Sequence, residues 1–119
     1  MINLAKLGTT LIVLFMGQWA AAQQMDPKKM ADNQTQMMTE ALILSEEQEE
    51  QVAELNLKYS ERQAILLNQK GSMFSKMGDM KKIAKEKNAE LELVLTAEQM
   101  KKYKEEVQPK MRNQMRKRM

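Results

Sequence analysis

The chain predicts an all-α protein of about four helices, and three observations carry that prediction. Gln, Glu, Lys, Met, Leu and Ala dominate the 119 residues, while the β-branched and aromatic residues that favour strands are scarce. Apolar residues recur at spacings of three, four and seven, the period of a helix face rather than of a strand. Helix-start signals punctuate the chain: Asp26 before Pro27, Ser45 with Gln48 three residues on, and Thr96 with Gln99.

Residues 1–22, MINLAKLGTTLIVLFMGQWAAA, read as a cleavable signal peptide. One lysine (Lys6) precedes an apolar stretch, and Ala20 and Ala22 form an A-x-A site with cleavage expected before Gln23. The apolar run is shorter than the ~20 residues of a membrane-spanning helix, so export to the periplasm is expected rather than anchoring. Residues 23–119 are then a single all-helical domain.

The first helix is predicted to open at Asp26-Pro27 and to carry Met30, Met37, Met38, Ala41 and Leu42 on its apolar side. The second opens at Ser45, shows a stripe of Val52, Leu55, Tyr59 and Leu66, and ends at Gly71. The third starts at Ser72 or Ser75, with Phe74, Met77, Met80, Ala84, Leu91 and Val94 or Leu95 on one face. Gly78 weakens its first turns, so regular helix is expected only from Asp79. The fourth opens at Thr96, with Met100, Tyr103, Val107, Met111 and Met115 in phase. Pro109 is expected to kink or interrupt it, leaving 110–119 as a basic tail free to be disordered.

Composition narrows the function. There is no cysteine and no histidine, which removes thiol nucleophiles, disulfides, the commonest general base and the commonest metal ligand, and no catalytic residues are proposed. Signal cleavage removes Lys6 alone among the charged residues, so the net charge falls from +3 to +2, too small to specify a partner. Of the five aromatic residues, Phe15 and Trp19 leave with the signal, and only Tyr59, Phe74 and Tyr103 stay. A domain that small and that poor in apolar bulk is marginal by itself, and with no disulfide available a helical homodimer is the expected remedy.

Two helix starts are nearly the same sequence. Leu42-Ile43-Leu44-Ser45-Glu46-Glu47-Gln48 aligns with Leu93-Val94-Leu95-Thr96-Ala97-Glu98-Gln99 as L-[IV]-L-[ST]-x-E-Q. In each copy the hydroxyl caps the first turn, the glutamine returns a hydrogen bond, and the glutamate complements the positive helix end. Leu44, Ser45 and Gln48, and again Leu95, Thr96 and Gln99, are therefore assigned a capping role.

With these motifs the chain resembles the Spy/CpxP family of periplasmic proteins, named for its LTxxQ motifs. Leu95, Thr96 and Gln99 match that motif fully, and Leu44, Ser45 and Gln48 match it with serine in place of threonine. The resemblance spans residues 30–107. It implies an elongated, curved, antiparallel homodimer of helical hairpins that holds unfolded or partly folded proteins without ATP and prevents their aggregation. It also implies an alternative, an accessory regulator that binds a membrane sensor kinase in envelope stress.

The residues add their own candidates. Phe74, Met77 and Met80 lie near Lys76, Lys81, Lys82, Lys85 and Lys87, an apolar and basic neighbourhood suited to unfolded clients; Phe74, Met77, Met80, Lys81, Lys82 and Lys85 are the expected contacts. Lys110, Arg112, Arg116, Lys117 and Arg118 make the tail basic, but export argues against nucleic acid and points to a membrane surface or the acidic start of a partner's second helix. No metal or cofactor is expected. The remaining alternative is Cu(I) held by methionines, with Met111, Met115 and Met119 four apart and Met77 and Met80 three apart.

Overall fold

A computed structural model describes residues 26–118, and every regular element among them is helical. The expected signal peptide and its cleavage site, like Met119, lie outside the described residues. The helices are α1 (Pro27–Leu42), α2 (Glu46–Asn68), α3 (Met73–Val94), α4 (Ala97–Lys102), a π-helical turn (Tyr103–Val107) and α5 (Gln108–Arg118). The last three run as one continuous helical path, so the described residues make four long helical segments, as the sequence predicts. The molecule measures 62 × 38 × 20 Å, an elongated body. No helix among the described residues is long and apolar enough to cross a membrane.

Each start has a local cause. The Asp26 carboxylate accepts from the Lys28 and Lys29 amides ahead of Pro27, which needs no partner at the first helical position. Ser45 and Thr96 both form complete capping boxes. Ser72 caps α3 by accepting from the Ser75 amide at 3.2 Å. Regular helix therefore begins at Met73 and runs through Gly78, six residues earlier than Asp79, because the cap supplies what glycine lacks in propensity.

The ends are equally specific. Gly71, at φ +131°, turns the chain between α2 and α3 where a side chain would be strained. α1 ends on Ile43 in the left-handed region, with the Leu44 amide reaching back to the Thr39 carbonyl at 3.4 Å. Pro109 neither breaks nor ends the last helix. The Gln108 amide bonds to the Tyr103 carbonyl, five residues back, and this wider turn leaves room for the proline ring and its missing donor. α5 is helical to Arg118, and Met111 within it is buried.

Two apolar clusters hold the helices. The larger joins Met38 and Leu42 of α1, Val52 of α2, Leu91 and Leu95 at the end of α3, and Met100, Tyr103, Val107 and Met111 of the last segment. The smaller joins Tyr59, Leu66 and Ile83 along the α2–α3 hairpin, with Met80 against it. Lys58–Glu90 and Arg62–Glu86 ion pairs cross that hairpin, advancing four residues on α2 while retreating four on α3, which is antiparallel register. Exposed pairs of this kind add little stability; the apolar clusters carry the association.

The face of α3 differs from the predicted stripe. Lys76, Ile83, Lys87 and Leu91 point inward, while Phe74 and Met77 are exposed. The reason lies at the turn. The Lys76 ammonium bonds to the carbonyls of Leu67 and Gln69 at the open end of α2, and this fixes the rotation of α3 so that Phe74 and Met77 leave the core.

Candidate functional site

The duplicated motif folds into one structure. Gln48 Oε1 accepts from the Ser45 amide at 3.1 Å and Gln99 Oε1 from the Thr96 amide at 3.0 Å, closing the two capping boxes. The glutamine amides then meet each other: Gln48 Nε2 donates to Gln99 Oε1 at 2.8 Å, and Gln99 Nε2 donates to Gln48 Oε1 at 3.2 Å. Each Nε2 also reaches the carbonyl that ends the helix before the other motif, Gln48 to Val94 and Gln99 to Leu42. Capping, clasping and closure of two helix ends thus fall to one pair of side chains. Leu95 is part of the larger apolar cluster, and Leu44 packs against it. All six motif residues are brought together, in a structural role.

The candidate contact residues on α3 sit at the opposite end of the hairpin. Phe74 is 85% exposed, Met77 49% and Met73 45%. Met80 is half-buried against the smaller cluster. Lys81, Lys82 and Lys85 are exposed, and Phe74, Met77, Lys81 and Lys85 follow one another at spacings of three and four along one strip. Lys76 and Lys87 do not join that strip, because both are buried and committed elsewhere. Ile65, near the end of α2, is also exposed, so the hairpin tip carries apolar surface from both helices.

A buried polar seam runs between α1, α2 and α3. Lys87 Nζ donates to Gln34 Oε1 at 3.1 Å, and Asn56 Nδ2 donates to Thr35 Oγ1 at 2.9 Å. Ser60 and Gln63 extend the seam along α2. Removal from water pushes the Lys87 ammonium down to about 8, since its single protein partner is a neutral amide. Burial, then the bonded Glu90 carboxylate, push the Tyr59 hydroxyl up to about 12. Glu90, held by Tyr59 and Lys58, and Glu86, held by Arg62, lie below the usual carboxylate value. The seam is visible in sequence only as Val52, Asn56, Tyr59, Gln63 and Leu66 at alternating spacings of four and three, two polar residues in phase with an apolar stripe.

A second surface feature is an open acidic cleft of about 660 Å³ between α1 and α2, edged by Asp32, Glu40, Glu46, Glu49 and Glu50. On α5, Lys110, Arg112, Arg116 and Lys117 are exposed. Among the described residues no group of three or more Asp or Glu converges to hold a metal ion.

Fold and clasp together define the class: an all-helical domain whose two halves are locked by facing capping boxes. The chain belongs to the family described as a domain of unknown function, DUF4890, which matches residues 17–103. No curated protein and no solved structure matches it.

Proposed function

We propose that the protein is an exported, periplasmic, ATP-independent chaperone that holds unfolded or partly folded proteins and limits their aggregation. The observation that supports this reading is the apolar tip of the α2–α3 hairpin, where Met73, Phe74 and Met77 face solvent beside Lys81, Lys82 and Lys85. Apolar side chains grouped in one exposed patch suit an interaction surface, and unbranched methionines repack around clients of differing shape. The lysines draw acidic segments in and keep the apolar tip from collapsing on itself. The resemblance of the duplicated motif to the Spy/CpxP family supports the same reading.

The working form is a homodimer. Charge complementarity between the acidic α1–α2 cleft of one copy and the basic α5 of another favours it, and screening weakens such contacts as salt rises. Sedimentation equilibrium is expected to give twice the chain mass at low ionic strength and a shift toward monomer in about 1 M salt, where the Debye length falls to about 3 Å. A monomer under both conditions removes the dimer.

The chaperone reading is tested by light scattering of several unrelated denatured proteins with near-stoichiometric amounts of this one. Suppression across the set is expected. Unchanged scattering, with specific capture of a single membrane sensor, would replace this reading with the accessory regulator.

A further inference from the structure

We propose that Met30, Met111 and Met115 form a binding site for a soft monovalent cation, Cu(I), at the junction of α1 and α5. The three side chains line one small cleft together with Asn33, Gln34 and Gln114. Met111 and Met115 stand one helical turn apart on α5 and so share a face. Met30 comes from the first turn of α1, more than eighty positions earlier in the chain, and the Asn33 to Gln114 hydrogen bond of 3.1 Å holds the two helices in register beside the cleft. Met30 and Met111 are buried and Met115 is half-buried, so the methionine wall of the cleft is largely shielded from water.

The space is about 10 Å³, enough for one water-sized occupant and too small for a hydrated ion. An ion entering it has to exchange its water for what the walls offer. Two of the three amide oxygens are already engaged, Gln34 Oε1 with Lys87 and Gln114 Oε1 with Asn33. No carboxylate lines the cleft, and the whole chain has no imidazole or thiol. Magnesium, calcium and zinc therefore find none of their preferred charged or nitrogen ligands, whereas thioether sulfur selects Cu(I). Three methionines from two helices line the cleft, and thioethers are the donors that ion accepts in low coordination number.

The site is read by anaerobic competition for Cu(I) between the protein and the chromophoric chelator bicinchoninate. One equivalent per chain is expected to leave the chelator. Met30→Leu, Met111→Leu and Met115→Leu conserve volume and helix propensity, and each is expected to weaken Cu(I) binding at least tenfold with helical circular dichroism unchanged. Met77→Leu, on the exposed strip, is expected to bind as the parent does. X-ray absorption of the loaded protein adds a readout independent of the variants. With no cysteine in the chain, sulfur bonded to the copper can come only from methionine. A chelator that keeps all its copper, equal binding by the three variants and the parent, or copper bonded to nitrogen and oxygen alone would each overturn the site.

Discussion

Lys87 shows how one residue links burial to pH. Its ammonium is favoured in the unfolded chain up to its ordinary value of 10.5, but in the fold it gives up its proton from about 8. Between those values the unfolded state binds more protons, so stability rises with pH through that window and the penalty is complete below it. Lys87→Met is expected to abolish the rise in melting temperature between pH 8 and 10, and an unchanged profile would show that the ammonium is solvated. Tyr59 acts in the opposite direction: its raised value favours the fold below about 10, and that contribution is lost as pH climbs toward about 12. Glu86 and Glu90 favour the fold above their ordinary 4.5 and cease to do so as acid protonates them. Ile43 is a second informative residue. It is 83% exposed and holds φ +53°, a conformation that costs a β-branched side chain about 1–2 kcal/mol. Ile43→Gly is expected to raise the melting temperature by several degrees; no rise would mean that the left-handed cap carries no strain.

At the scale of elements, the two motifs act as one part. Two amides that bond to each other and to two helix ends depend on each other, since removing either takes both clasp bonds from its partner and the side-chain donor from one helix-end carbonyl. A double-mutant cycle of Gln48→Ala and Gln99→Ala is expected to show a coupling of about 1 kcal/mol or more in urea unfolding. Additive losses would mean that each glutamine only closes its own capping box. The helix starts were legible because capping is local: Asp26-Pro27, Ser45 with Gln48, and Thr96 with Gln99 declare themselves within four residues. The facing of the two boxes was not, because spacing says nothing about which helix ends meet. The rotation of α3 was misread for a related reason. By sequence Lys76 belongs to the basic neighbourhood of Phe74 and Met77, and only the open carbonyls of α2 show why it turns inward and leaves those two outside. Pro109 is expected to kink or interrupt the last helix, and the interruption takes the form of a π turn just upstream, whose Tyr103 and Val107 pack into the larger cluster, rather than an end to the helix.

For the whole molecule, the two ends of the elongated body have different characters. One end is locked by the glutamine clasp and the larger apolar cluster, and the other is a hairpin tip with apolar side chains in water. Methionines of the described residues serve both characters, some filling the core as Met38 and Met100 do, others exposed as Met73 and Met77 are. Cores of this kind were foreseeable from stripes on four helices. Met30 beside Met111 and Met115 was not, since the latter two were paired by spacing alone and α1 enters only through tertiary packing. The most direct measurement is aggregation suppression by the parent and by the double variant Phe74→Ser/Met77→Ser, at equal concentration and with matched melting temperatures. The parent is expected to suppress aggregation of several unrelated denatured proteins, and the variant to lose most of that effect while staying fully helical. Equal suppression by both would contradict a client surface at the hairpin tip, and no suppression by the parent would contradict the chaperone function itself.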